Sequence, residues 1–266
     1  MKHIFSKKNR ALLSELVRTD FKIRYQGSIL GYAWSLLKPL LLFVILYIVF
    51  VKFLKLGSGI PNYPIYLLLG IVMWSFFAEM TGLGMGSIVG RGDLIRKIRI
   101  PRWIIVLSSS ITALINLFLN LLIVFVFLLI NSVDITISIL LLPFALFQLY
   151  LFSLGVSLIL ATAFVKYRDV THIWDVVLQA LFYLTPILYP LSIITRTSFQ
   201  KILLISPIAS TIQNARYATV TKETMTIGQV FSNQWVNMIP ILITVITLTI
   251  GILYFKKESK DFAENL

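Results

Sequence analysis

The chain predicts an all-α integral membrane protein with six transmembrane helices, and three observations carry that prediction. Hydrophobic residues fill 58% of its 266 positions and charged residues only 13%, too few to coat a soluble globule of this length. Apolar runs at about 34–53, 64–84, 103–130, 135–165, 172–190 and 236–255 approach or exceed the length a bilayer demands, roughly 20 residues for a hydrocarbon core about 30 Å thick. With these six spans, 18 of the 24 Lys and Arg residues fall on the side that carries both termini, which predicts that both termini are cytoplasmic. Strands of a membrane barrel would alternate polar and apolar residues, whereas residues 117–130 read LFLNLLIVFVFLLI, apolar on every side except Asn120.

From the N-terminus, Leu12, Leu13, Leu16, Val17 and Phe21 share one helical face, with Arg18, Asp20, Lys22 and Arg24 largely on the other. Residues 10–31 therefore read as an amphipathic helix in the inner interface, followed by a turn. In the first span Phe43, Tyr47 and Phe50 form an aromatic stripe, which packs against lipid or a neighbouring helix or walls a conduit. The second span carries Ala78, Gly82, Gly86 and Gly90 at four-residue spacing, a register in which two helix backbones approach closely, either as packing within one subunit or as a moving seam beside a pathway. Glu79 on the same span faces water or a basic group, because a carboxylate facing lipid is costly.

The loop over residues 91–102 mixes five basic residues with Leu94, Ile95, Ile98 and Ile100. Its apolar content predicts a short helix docking on a cytoplasmic partner, with Pro101 starting the third span. The second inner loop, residues 166–170, is a short turn. Beyond the fifth span, Pro186 and Pro190 flank a change of pattern, and residues 191–234 are too broken to cross a bilayer. They predict external re-entrant or interfacial helices, since irregular backbone at membrane depth must be buried in protein or line a cavity.

Several function classes are excluded or disfavoured. The formal charge of +13 reads as topology and attraction to anionic lipid, with no basic patch on a soluble fold to engage nucleic acid. No cleavage site follows the first apolar run, so the chain is expected to keep its Met1 end. Without cysteine and with only His3 and His172, neither a thiolate nor a histidine metal cluster is expected. The phosphate-loop, zinc-protease and serine-hydrolase signatures are missing, so no catalytic residue is assigned. His172 and Asp175 read as a local hydrogen bond rather than an acid-base pair.

Five segments in order carry a resemblance: RYQGSILGYAWSLLKPL (24–40), IPRW (100–103), KYRDV (166–170), TPILYP (185–190) and SPIAS followed by Arg216. In these the chain resembles bacterial polysaccharide-export ABC transporter permeases, the membrane subunits that move lipid-linked O-antigen, capsular polysaccharide or wall teichoic acid. The resemblance implies a single permease domain over 1–266, in a homodimer in the bacterial plasma membrane with two copies of a separate ABC ATPase. That ATPase would bind ATP and magnesium, leaving this chain without a cofactor. It further implies a gate at Arg24, Tyr25, Gly27, Leu30 and Gly31, and ATPase coupling through Leu94, Ile95, Arg96, Lys97, Ile98, Arg99 and Pro101. The first, second and fifth spans would flank the conduit, with Phe43, Tyr47, Trp74, Phe77 and Tyr183 as its expected wall. Alternatives are an exporter of another amphiphile such as a drug or peptide, a membrane-embedded transferase, and a passive channel.

Overall fold

The computed structural model describes residues 7–25, 28, 30–31, 33–55, 59–97, 100–134 and 136–265. Among them the regular structure is helical throughout: α1 Lys7–Tyr25, α2 Ala33–Leu46 with a π-helical extension Tyr47–Phe53, α3 Tyr63–Ser87, α4 Gly92–Lys97, α5 Arg102–Ile130, α6 Leu142–Lys166, α7 Val170–Leu184, α8 Thr197–Ile205, α9 Pro207–Thr219, α10 Ile227–Val230, α11 Met238–Glu258 and α12 Phe262–Asn265. Five segments are long and apolar enough to cross a bilayer: Ala33–Phe53, Tyr63–Ser87, Arg102–Ile130, Ile137–Lys166 and Gln234–Glu258.

α7 is shorter than the expected fifth span over 172–190, ending at Leu184 after 15 residues. Proline explains the stop. Pro186 disfavours helical backbone at Thr185, whose ψ is 135°, and brings no N–H of its own. Residues 185–188 continue as irregular but buried backbone.

Side-chain contacts order the bundle. Arg91, just past α3, meets Ser108 near the start of α5 at 2.9 Å, and Glu79 further back on α3 meets Asn116 further along α5, so the two helices run antiparallel. Asn120 donates to the Ser35 carbonyl at 3.2 Å, and Phe127 packs edge-on to Phe43 at 6.1 Å, so α2 runs parallel to α5. α2 thus begins beside Asn120, about 27 Å along α5 at 1.5 Å per residue. The aromatic stripe on this first span turns inward: Phe43 is 7% exposed, and Tyr47 and Phe50 pack against the same core.

A second apolar cluster gathers both ends of the chain. Leu16 of α1, Ile88, Ile95 of α4, Ile104 to Val106 of α5, Val165 of α6, Phe255 of α11 and Phe262 of α12 pack together. Lys166 pairs with Glu258 beside it. At the other end Leu191, Leu204 and Ile227 form a small cluster under the segment that joins α7 to α11.

The closest helix approach is between α6 and α11. A Cβ on Gly251 would lie 2.5 Å from the Gly155 carbonyl oxygen, and one on Gly155 would lie 2.7 Å from the Leu248 nitrogen. Gly82, Gly86 and Gly90 were the residues expected to make such a seam. Within the described residues nothing lies within 4 Å of a Cβ at any of the three. Gly84, between them, is the position of α3 that faces α6, against Ser157.

Replacing Gly251 with valine is therefore expected to wedge α6 from α11 and to destabilise the protein by about 1–3 kcal/mol. Gly86→Ala should leave stability within about 0.5 kcal/mol of wild type. Thermal unfolding in detergent reads both, and equal effects at the two glycines would contradict this assignment of the seam.

Candidate functional site

The open face of the glycine stripe is the floor of a groove. Its larger part is a cavity of about 1020 Å³ between α2, α3, α5 and α7, bounded by Trp34, Lys38, Trp74, Glu79, Asn116 and Tyr183 among others. A smaller cavity of about 450 Å³ continues along α3 past Gly86 and Gly90 to Asp20 and Arg91. The two share Gly82 and Leu83. Small residues at 82, 86 and 90 keep this floor flat, and among the described residues nothing lies within 4 Å of a Cβ built at any of them.

One wall is aromatic. Trp74 tilts against Phe182 at 5.7 Å between ring centroids, and Phe182 meets Tyr183 edge-on at 5.4 Å. Of the expected wall residues, Trp74 and Tyr183 line the cavity, Tyr183 being 61% exposed. The other three are corrected. Phe77, only 1% exposed, stacks on Phe152 at 6.0 Å, while Phe43 and Tyr47 pack toward the core rather than onto the groove. A residue's turn on a helix depends on which neighbour buries it, and aromatic spacing alone does not specify that.

A second part of the wall is polar, at Glu79 and Asn116. Asn116 Nδ2 donates to Glu79 Oε1 at 2.6 Å. Asn120, one turn on, donates to the carbonyls of Asn116 at 2.8 Å and Ser35 at 3.2 Å, tying α5 to the start of α2. Trp174 of α7 donates to Thr81 of α3 at 3.2 Å. The signal for this wall was legible as two asparagines four residues apart within an apolar span.

Beside the groove, where α7 breaks, sits the residue that sequence reading misplaced. Arg216, one of the six basic residues left on the side away from the termini, is fully buried on α9. Its Nε donates to the Tyr66 carbonyl at 2.9 Å, Nη1 to the Pro186 carbonyl at 2.6 Å and Gln213 Oε1 at 3.1 Å, and Nη2 to the Ile187 carbonyl at 2.8 Å. The guanidinium lies 3.6 Å over the Tyr66 ring. Convergent carbonyl dipoles and an aromatic face offset the desolvation of a buried cation. Gly70 makes room for it, since a Cβ there would lie within 2.2 Å of Nη2.

At the terminal end, Asp20 of α1 pairs with Arg91, which also donates to Ser108 at 2.9 Å. α1 is thereby fastened across the narrow end of the groove. Of the expected gate, Arg24 and Tyr25 end α1, and Gly27 lies outside the described residues. Leu30 and Gly31 form a turn, closed by Ala33 N–H to the Leu30 carbonyl at 2.9 Å, in which Gly31 adopts φ +49°, a conformation suited to glycine.

The expected docking segment on α4 turns its apolar side chains inward and its basic ones outward. Ile95 is 8% exposed and packs with Leu94 into the protein's own terminal cluster, so both serve internal packing. Leu16 of α1 and Phe262 of α12 belong to the same cluster. Arg96 and Lys97 are exposed, Ile98 and Arg99 lie outside the described residues, and half-buried Pro101 precedes the first turn of α5. On α7, His172 and Asp175 are both exposed and no hydrogen bond links them.

Residues 11–220 match the family described as ABC-2 type transporter. The chain is 33% identical over 202 residues to an O-antigen export system permease protein of Myxococcus xanthus, covering 76% of this chain and 77% of that protein. Two O-antigen export system permease proteins of Klebsiella pneumoniae are 28% and 29% identical over 256 and 260 residues, each covering 96% of this chain and 95% of the relative.

Substitution of Arg216 by methionine strips partners from the buried Pro186 and Ile187 carbonyls, at about 1–3 kcal/mol each. Gly70→Ala presses on the same guanidinium. Both variants are expected to reduce the amount of folded protein recovered from membranes, with Arg216→Lys intermediate, as size-exclusion recovery and melting temperature would record.

Proposed function

The chain belongs to the ABC-2 type transporter family, and from that premise we propose that it is the membrane subunit of an ATP-driven exporter of lipid-linked polysaccharide. The observation that carries the reading is the groove itself, an apolar and aromatic cavity of about 1020 Å³ with a polar wall. Its volume suits a short stretch of sugar chain, and the described helices leave it partly open.

A second copy completes the conduit. α7 contributes no fully buried residue, and Ile173, Val176, Tyr183 and Leu184 are each more than half exposed. A face of this kind suits either lipid or a second subunit. The groove beside it favours a homodimer whose α2, α3 and α7 surround the path. Six crossings follow if α7 and the buried residues 185–188 make the fifth, with α8 and α9 as re-entrant helices capping the external end over residues 191–234. The terminal end then faces the cytoplasm of a bacterial cell and the break beyond α7 faces outward.

ATP and magnesium belong to two copies of a partner ABC ATPase. The partner meets the exposed basic side of α4, Arg96 and Lys97, while Leu94 and Ile95 hold that helix to the terminal cluster. ATP binding closes the ATPase pair, α4 and the start of α5 carry the motion inward, and the seam between permease copies opens. α1, fastened by Asp20 to Arg91, gates the narrow cytoplasmic end of the groove, where an amphiphile with a polar head enters.

Two measurements test this reading. Gly82→Leu projects a side chain into the groove where nothing lies within 4 Å of a Cβ, so export should fall at least about tenfold while melting temperature and ATPase co-purification stay unchanged. Normal export by a folded Gly82→Leu protein would remove the groove from the transport path. Arg96→Glu with Lys97→Glu should weaken ATPase co-purification without lowering stability, whereas Leu94→Asp should lower stability first.

A further inference from the structure

The polar wall holds an acceptor that the protein leaves unused. Asn116 is 2% exposed, lines the large cavity, and its Oδ1 has no hydrogen-bond partner among the described residues. The amide orientation is dictated by Nδ2 donating to Glu79 Oε1 at 2.6 Å, since a flipped amide would set oxygen against carboxylate oxygen. A buried, unpartnered carbonyl costs stability unless something supplies a donor. Next to it stands the Glu79 carboxylate, which like Oδ1 accepts and does not donate when ionised.

The aromatic wall stands in the same cavity. Trp74 precedes Glu79 on α3, and Phe182 and Tyr183 extend it from α7. Adjacent acceptors beside aromatic faces fit a ring that is apolar on its faces and bears hydroxyl donors on its rim. Lys38 on α2 is the other charged side chain of the lining.

We infer that Glu79 and Asn116 are specificity-determining residues that accept hydrogen bonds from the hydroxyls of a sugar residue in the groove, and that the Glu79 carboxylate disfavours acidic sugars. The inference rests on the polysaccharide-export reading and deepens it by naming the substrate class, a neutral glycan. A site that hydrogen-bonds a hydroxyl discriminates strongly, because a buried acceptor such as Asn116 Oδ1 stays unpaired when the donor is missing. Discrimination against acidic sugars follows from like-charge repulsion in a groove of lower dielectric than water.

The test uses the permease purified with its ATPase and three probes on one carrier: undecaprenyl diphosphate alone, bearing a neutral mannose tetrasaccharide, or bearing a glucuronic acid tetrasaccharide. Wild type should bind the neutral probe about tenfold more tightly than the acidic one, from one charge-assisted contact. Glu79→Gln should bring the two affinities within about twofold of each other. Asn116→Ala should weaken both sugar probes alike while leaving the bare carrier unchanged, which a general loss of fold would not do. The inference is overturned if the wild-type preference is absent, survives Glu79→Gln, or favours the acidic probe, the order expected if Lys38 governs selection. If neither sugar probe binds better than the bare carrier, the polysaccharide reading falls as well, so the two failures are distinguishable.

Discussion

The architecture turns on one buried cation. Arg216 donates to carbonyls from α3 and from the broken backbone after α7, and each of those carbonyls needs a partner because Tyr66, Pro186 and Ile187 are buried. Tyr66 covers the guanidinium and shares Gln213 with it, and Tyr63 one turn earlier donates to the Leu188 carbonyl at 2.6 Å. The proline break at Pro186 would be costly at this depth without such donors. With them it is a fixed corner, which stops α7 at Leu184 and leaves Phe182 and Tyr183 at the edge of the cavity beside Trp74.

That corner matters because α7 has little else to hold it. It contributes no fully buried side chain, and its contacts with α3 are Trp174 on Thr81 and Phe77 and Phe182 on Trp74. Elsewhere close packing is tight: α6 and α11 meet glycine to glycine, and Gly84 of α3 sits against Ser157 of α6. The helices are thus drawn together on one side of α3 and held apart on the other. The groove is the side left open, and the distribution of glycines between the two faces of α3 is its physical origin.

At the terminal end the division of labour is between apolar and charged faces of the same short segments. Leu16, Ile95 and Phe262 share one cluster, so α1, α4 and α12 are bound to the ends of the long helices by burial rather than by hinge-like loops. Charge then remains on the outside, at Arg96 and Lys97, and across the groove end, where Asp20 meets Arg91. In the proposed exporter, motion of a partner against α4 reaches the bundle through that apolar cluster, while the ion pair governs the separate movement of α1.

The sequence by itself determined the solvent, the helical class and most helix positions, because runs of some twenty apolar residues have few other solutions in a bilayer. It also determined the N-terminal amphipathic helix and, through five ordered segments, the family resemblance. Only the tertiary structure decided which face of each helix is inside. The stripe at Gly82, Gly86 and Gly90 looked like a packing seam and is a cavity floor; Leu94 and Ile95 looked like a docking face and are internal; Phe43 and Phe77 looked like a wall and are core. In a helix that is apolar all round, periodicity carries no inward direction, so facing depends on contacts far away in sequence. Arg216 shows the limit most sharply: charge places a residue outside by default, and only the convergence of carbonyls from residues 66, 186 and 187 makes a buried site for it.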